Sequence, residues 1–113
     1  MSSTPKELFT PQDLATPAVA LLYTSPADGK GTYLDKPTVC NHSGSTATVT
    51  FHIVPVAGAA DGTNIRVNAK SIADKATDLL PEIAGRLLKP GQTLWGAAST
   101  ANVNVDCSGR ELT

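Results

Sequence analysis

The amino-acid sequence predicts an all-β fold: an antiparallel two-sheet sandwich, immunoglobulin-like or jelly-roll, with an extended N-terminal arm. Three observations predict it. Apolar and polar residues alternate with period two from Val19 onward, turn-forming residues recur about every ten residues, and strand–helix–strand alternation is missing. Aromatic residues make up only 4% of the 113-residue chain, so aliphatic side chains must fill the core.

The first part of the chain differs from the rest. We expect residues 1–17 to form an extended arm and residues 18–113 to form the sandwich domain. The arm contains three prolines, Pro5, Pro11 and Pro17. Because each proline fixes φ and removes an amide donor, there is room for one helical turn at most, at residues 6–9 or 11–14. The apolar residues expected to anchor the arm to the sandwich or to a neighbouring subunit are Leu8, Phe9 and Leu14.

Two strands are predicted next. Residues 19–24 form an apolar strand that ends in the turn-rich run 25–31. Residues 32–41 form the second strand, in which Pro37 indicates a sheet edge or a bulge. Residues 41–45 then have the composition of a hairpin loop.

The clearest strand covers residues 46–55. The residues predicted to share its buried face are Ala47, Val49, Phe51 and Ile53. Those predicted for its wetter face are Thr48, Thr50 and His52. After the loop at residues 57–63, residues 64–70 alternate again, and one face is predicted to carry Ile65, Val67 and Ala69.

The segment from residue 71 to residue 88 is ambiguous because its apolar residues have partly helical spacing. Pro81 would break a helix, so we predict short strands at residues 77–80 and 86–88, with one helical turn near 72–76 as an open alternative.

The end of the chain gives stronger signals. Residues 89–92, Lys-Pro-Gly-Gln, predict a type II turn because proline suits the second position and glycine the third. Residues 93–99 and 103–112 are predicted as the last two strands. In the final strand one face is predicted to carry Val103, Val105 and Cys107.

Composition argues against several classes of protein. Nine basic residues balance ten acidic ones, whereas a nucleic-acid binder normally carries a basic stripe. No apolar run is long enough to span a membrane, and the N-terminus lacks a secretory signal. We therefore expect a protein made in the cytoplasm, with no nucleic-acid or membrane partner.

Residues capable of chemistry are few and scattered. Cys40, His42 and Cys107 match no common zinc spacing, although a site built from them or a Cys40–Cys107 disulfide is conceivable. Ser43 and Ser108 precede glycines without forming the elbow of a hydrolase, and the carboxylates are spread along the chain. The sequence thus predicts a protein that is not an enzyme, with no catalytic residue, cofactor or metal.

Trp95 is the fourth interface candidate, after Leu8, Phe9 and Leu14. Small residues follow it at positions 96–98, and an isolated tryptophan is typically a core or interface anchor. With Tyr23 or Tyr33 it could instead line a sugar-binding groove. A carbohydrate-binding or adhesive module on a virion or cell surface is therefore the alternative function.

Most of the chain after residue 21 resembles small virion proteins of tailed bacteriophages. The segments that carry the resemblance are residues 22–26, 38–44, 47–55, 80–82, 88–94 and 105–111. Turn residues and strand patterns account for nearly all of it, and the N-terminal arm departs from it.

The resemblance implies a β-sandwich that decorates a capsid or belongs to a neck, collar or tail. It implies a homo-oligomer, assembled through the sandwich and the N-terminal arm, that contacts other structural proteins of the virion after synthesis in the host cytoplasm. No catalytic residue is carried over with it. Its position in the particle, its copy number and its symmetry are left open by the sequence.

Overall fold

The computed structural model describes residues 2–113 as two antiparallel β-sheets packed against each other, which confirms the predicted two-sheet sandwich. No helix occurs among these residues. The nine strands are β1 (Ser3–Asp13), β2 (Ala20–Thr24), β3 (Gly31–Asn41), β4 (Ala47–Val54), β5 (Ile65–Ile72), β6 (Thr77–Asp78), β7 (Arg86–Leu88), β8 (Thr93–Ala98) and β9 (Val103–Leu112).

The strand order is that of a jelly roll, one of the two predicted topologies. Sheet A has the order β1-β9-β3-β6, with β7 also paired to β3, and sheet B has the order β2-β8-β4-β5. The pairs are therefore nested: β1 with β9, β2 with β8, β3 with β6 and β7, and β4 with β5. A long antiparallel hairpin wrapped into two layers produces this nesting.

The segment predicted to be an arm is largely a strand. β1 pairs with β9 from Ser3↔Leu112 to Asp13↔Asn104 and forms one edge of sheet A, so the single helical turn is absent. Ser2 and Thr113 exchange both backbone hydrogen bonds, and antiparallel alternation then points the Pro5 nitrogen toward the open edge. An edge strand tolerates proline there because no ladder donor is needed.

The connection after β3 is not the hairpin loop that its composition predicts. β3 lies in sheet A and β4 in sheet B, so residues 42–46 cross from one sheet to the other. The buried Asn41 side chain holds this crossing by donating to the carbonyls of Ser45 and Ile72, at 2.9 and 2.8 Å. Its oxygen accepts from the Ser43 amide at 3.0 Å, which is an Asx-turn.

The predicted face of β5 is wrong at Ala69. The register between β4 and β5 shifts between the pairs Val49↔Lys70 and Phe51↔Val67, so β5 contains an extra residue. Ala69 adopts a φ of 50°, and its amide donates to Thr50 Oγ1 at 3.1 Å. This β-bulge leaves Ala69 exposed and turns Ile72 inward.

Other local predictions hold. The Gln92 amide donates to the Lys89 carbonyl at 3.0 Å and Gly91 has a φ of 83°, as a type II turn requires. The loop after β4 is a true hairpin, because β4 pairs with β5. Pro37 lies between the segments of β3 that pair with β7 and β6, where that side of β3 lacks a ladder partner among the described residues.

The core lies between the sheets and is almost wholly aliphatic. Phe51 is fully buried on β4, and its ring covers Gly96, its cross-strand partner on β8. A Cβ at position 96 would approach the Phe51 ring to 2.7 Å and a Leu22 methyl to 3.0 Å. Glycine is therefore required at this position by space.

Gly96→Ala should lower the free energy of unfolding by about 1–3 kcal/mol, because the added methyl overpacks the core. Urea denaturation measures the change, and Phe51→Leu in the same chain should recover part of the loss. Gly62→Ala is the control, since no atom lies within 4 Å of a Cβ there. Equal stability of the Gly96→Ala variant and the wild type would contradict this packing.

Leu14→Ala should lower the free energy of unfolding by about 3 kcal/mol, because Leu14 is buried in the core and its amide is tied to Val103. Thr10→Ala changes an exposed residue of the same segment and should shift stability by less than about 0.5 kcal/mol. If Leu14→Ala were as stable as the wild type, the N-terminal segment that includes Leu14 would not be packed into the folded unit.

Candidate functional site

Three of the four predicted interface residues face the chain's own core. Leu8, Phe9 and Leu14 are 8%, 9% and 4% exposed and belong to the cluster that fills the sandwich. They pack the N-terminal segment against the core of its own chain. Their apolar surface is therefore already covered before any second subunit arrives.

Trp95, the fourth candidate, lies on the outer face of sheet B. Leu94 on the same strand is in the core, so alternation places Trp95 outside. Its Nε1 donates to Thr93 Oγ1 at 2.8 Å, and the side chain is half-buried. Its cross-strand neighbours are Leu21 on β2 and His52 on β4, and Leu21 is 50% exposed.

The part of the outer surface of sheet B that β2, β4 and β8 form around Trp95 contains no charged residue. We call this surface the uncharged face and define it by Pro17, Val19, Leu21, Thr48, Thr50, Trp95, Ala97 and Ser99. A shallow depression of about 320 Å³ lies between the ends of β2, β4 and β8, and it is lined mainly by apolar atoms. Leu21 and Trp95 stand beside it on neighbouring strands.

The alternation predicts that His52 lies on the wetter face of β4. The structure shows instead that it is buried, with 7% of its surface exposed. Asn64 covers it: Asn64 Oδ1 lies 2.8 Å from His52 Nδ1 and also accepts from the Asp61 amide, while Nδ2 donates to the Ala59 carbonyl. Since these bonds fix the amide orientation, His52 Nδ1 is the donor. The pair holds the β4–β5 loop against the sheet.

The two cysteines are free thiols that do not meet. Cys40 is opposite Asn104 and Cys107 is opposite Pro37, so they lie about three residues, or ~10 Å, apart along the ladder. They also occupy opposite faces of sheet A, and a disulfide is therefore impossible without rearrangement. Burial raises the pKa of the Cys107 thiol to about 12.

Within residues 2–113 no group of three histidine, cysteine or carboxylate side chains is arranged to hold a metal ion. His42 is exposed in the crossing between the sheets. The structure thus separates the residues of the conceivable Cys/Cys/His site. In the described part of the chain there is also no helix with the length and apolar character needed to cross a membrane.

Several carboxylates serve local structure. Asp35 forms a double hydrogen bond with Arg110, at 2.8 and 3.1 Å, and Arg110 covers the Tyr33 ring. Asp78 and Glu82 both pair with Lys70, at 3.3 and 3.0 Å, which joins β5 to β6 and to the segment that follows β6. These pairs connect strands rather than face each other across a cleft.

The most enclosed polar cluster joins the two sheets at one end. Tyr23 of β2 donates to the Glu111 carboxylate of β9, and its hydroxyl lies 3.3 Å from Thr32 Oγ1. Thr32 and Ser25 are fully buried and 2.9 Å apart. Burial, followed by the bond to Glu111, raises the pKa of Tyr23 to about 12. The cluster links β2 of sheet B to β3 and β9 of sheet A through side-chain hydrogen bonds, so it holds the two sheets together at this end.

The aromatic residues considered for sugar binding do not form a row. Tyr23 points between the sheets, Tyr33 lies under Arg110 on the outside of sheet A, and Trp95 lies on the outside of sheet B. A flat stacking platform for a sugar ring would need at least two of them side by side.

A second cavity, of about 300 Å³, opens where the end of the β4–β5 hairpin approaches β7. We call it the polar cleft and define it by Thr63, Asn64, Arg66, Arg86, Leu87 and Gln92. Its two arginines come from different sheets. Unlike the depression beside Trp95, it has charged residues in its lining.

Sequence reasoning identified Trp95 but missed both surfaces. A signal for the uncharged face exists, because residues 14–27, 37–60 and 90–105 contain no Lys, Arg, Asp or Glu. These stretches supply β2, β4 and β8, which are neighbours in sheet B. The polar cleft leaves no such signal, since its arginines are twenty positions apart and meet only through the fold.

Searches against protein-family models, curated proteins and solved structures found no match for this chain. The uncharged face and the polar cleft are the two surface features from which a function can be proposed. One is apolar and broad, and the other is small and positively charged.

Tyr23→Phe should flatten the loss of stability at high pH. The folded-state pKa of Tyr23 is above its ordinary value of 10.0, so its contribution is complete below pH 10 and lost as the pH rises to about 12. Urea midpoints at several pH values across this window measure it. Ionisation of the Cys107 thiol, whose pKa is also raised to about 12, destabilises both proteins equally in this pH range. Identical pH profiles of the variant and the wild type would therefore contradict the role of Tyr23.

Proposed function

We propose that this protein is a non-enzymatic structural component of a tailed-phage virion, a capsid decoration, neck, collar or tail protein. It assembles as a homo-oligomer through the uncharged face and contacts other structural proteins of the particle. It is made in the host cytoplasm and acts in the virion.

The observation that carries the proposal is the uncharged face. Charged side chains are costly to remove from water, whereas Ala, Thr and Val lose little when covered. Three adjacent strands present such residues over one surface, although 17% of the chain is charged. A surface of this composition is suited to contact with another protein.

A second copy of this chain is the occupant that the shape favours. Leu21 and Trp95 lie on one half of the face, and the depression lined by Thr48, Thr50 and Ala97 lies on the other. Trp95 and Ala97 are two residues apart on β8, about 7 Å. Two copies related by a two-fold axis can each place Leu21 and Trp95 into the depression of the other copy.

The open edge of sheet A is less suited to assembly. β1 has an unpaired edge, but the Pro5 nitrogen points toward that edge and carries no hydrogen to donate. Proline at this position discourages the addition of a further strand. The face of sheet B, rather than the edge at β1, is therefore the proposed contact.

Two further points support a role in a virion. The chain resembles small tailed-phage virion proteins in its strand and turn residues. Its nested strand order is the jelly roll, which viral capsid proteins use, although lectins and other proteins use it too.

Leu21→Lys combined with Thr48→Lys should convert the oligomer to a monomer, because two charges would be buried in the contact. Size-exclusion chromatography with light scattering measures the mass over a range of concentrations. The free energy of unfolding of the isolated monomer should stay within about 1 kcal/mol of the wild type, since both positions face outward.

Thr38→Lys with Asn104→Lys is the matched control. It adds two charges to the outer face of sheet A, and the oligomer should persist. A wild-type protein that is monomeric at every concentration, or equal dissociation by both pairs of substitutions, would remove the proposal.

A further inference from the structure

The polar cleft concentrates hydrogen-bond donors that the protein itself leaves unused. Arg66 Nη1 donates to the Ile65 carbonyl at 2.9 Å, and Arg86 Nε donates to the Glu82 carbonyl at 3.1 Å. Each guanidinium has five N–H groups, so most of them remain available. Gln92 Oε1 accepts from the Lys89 amide at 2.8 Å, which leaves the Gln92 Nε2 group as a third donor.

The lining of the cleft contains no carboxylate to neutralise these arginines. Across residues 2–113, the ion pairs join Lys6 to Glu111, Lys70 to Asp78 and Glu82, and Arg110 to Asp35. Of the three arginines in the chain, two therefore lack an acidic partner within the described structure, and both line this cavity. The protein has a net charge of −1, so the positive potential is local.

The shape of the cleft limits what can enter it. Its volume of about 300 Å³ is at the small end of ligand sites. Leu87, which is 40% exposed, and Ile53 supply an apolar wall beside the donors. A compact group with one anionic end and a carbon skeleton fits this combination of donors and apolar surface.

We propose that the polar cleft binds a small oxyanion, a carboxylate, sulfate or phosphate group, through Arg66, Arg86 and Gln92. The guanidinium forks suit such groups because two parallel N–H donors match two oxygen atoms. The group reaches the cleft either as a free ion or as the acidic substituent of a sugar. This site is separate from the uncharged face and does not depend on the proposed assembly.

Titration of the ¹⁵N-labelled protein, followed by NMR, tests the proposal. Inorganic phosphate, glucuronate and glucose are added separately at equal ionic strength. With an anion we expect shifts confined to residues 63–66, 86–87 and 92, including the arginine Nε–H and Gln92 amide signals. Tighter binding of glucuronate than of phosphate identifies the acidic sugar as the source, and the reverse order identifies the free ion.

Arg66→Gln and Arg86→Gln should each weaken binding about tenfold, the loss typical of one charge-assisted hydrogen bond. Arg66→Lys retains the charge but not the fork, so it should recover only part of the affinity. Lys36→Gln, an exposed change on sheet A with the same loss of charge, should leave the affinity unchanged.

Three results would overturn the proposal. The first is the absence of shifts with both anions in the wild-type protein. The second is an equal response to glucose and glucuronate, which would mean that the charge is not recognised. The third is equal weakening by Lys36→Gln and Arg66→Gln, which would indicate a general effect of net charge.

Discussion

The nested antiparallel pairing of the two halves of the chain is the constraint on which the rest of this structure depends. Because β1 pairs with β9 and β2 with β8, strands far apart in sequence become neighbours. The same nesting places β8 between β2 and β4, which joins three charge-free stretches into one surface. It also brings the hairpin end of β5 beside β7, where the arginines of the polar cleft meet.

The two sheets use their outer faces differently, although their inner faces are alike. On the surface of sheet A, Arg110 lies over the Tyr33 ring and donates two hydrogen bonds to the Asp35 carboxylate. Such exposed pairs contribute little to stability, typically below about 1 kcal/mol, but they keep the face hydrated and repel apolar partners. Sheet B lacks charges on β2, β4 and β8, so covering it with protein costs less desolvation. The asymmetry therefore favours one face for association and the other for solvent.

The local parts of the fold were accessible from sequence, and the parts set by long-range pairing were not. Alternation in β4 correctly places Val49 and Phe51 inside, and Pro-Gly at residues 90–91 fixes a type II turn. Ala69 breaks the alternation because a bulge depends on the register with Thr50, which no local pattern encodes. The crossing at residues 42–46 was predicted as a hairpin loop from its composition, because turn residues do not reveal which sheet the next strand joins.

Of the candidate sites, Trp95 was found because it is a lone large side chain, whereas Arg66 and Arg86 look like ordinary surface residues until the fold brings them together.

Asn64 lies in the lining of the polar cleft and is bonded to His52, which neighbours the uncharged face. Its side chain makes three hydrogen bonds, to His52, Asp61 and Ala59, while its backbone carbonyl accepts from Ile53. His52 in turn is the cross-strand neighbour of Trp95 in the uncharged face. With every polar atom of the Asn64 side chain occupied, the loop beside the polar cleft is held in place before any ligand arrives, so the ordering entropy of binding falls mainly on the exposed Arg66 and Arg86 side chains. Because Asn64 contributes shape rather than free donors, the selectivity of the cleft must come from the two guanidinium groups and Gln92 that surround it.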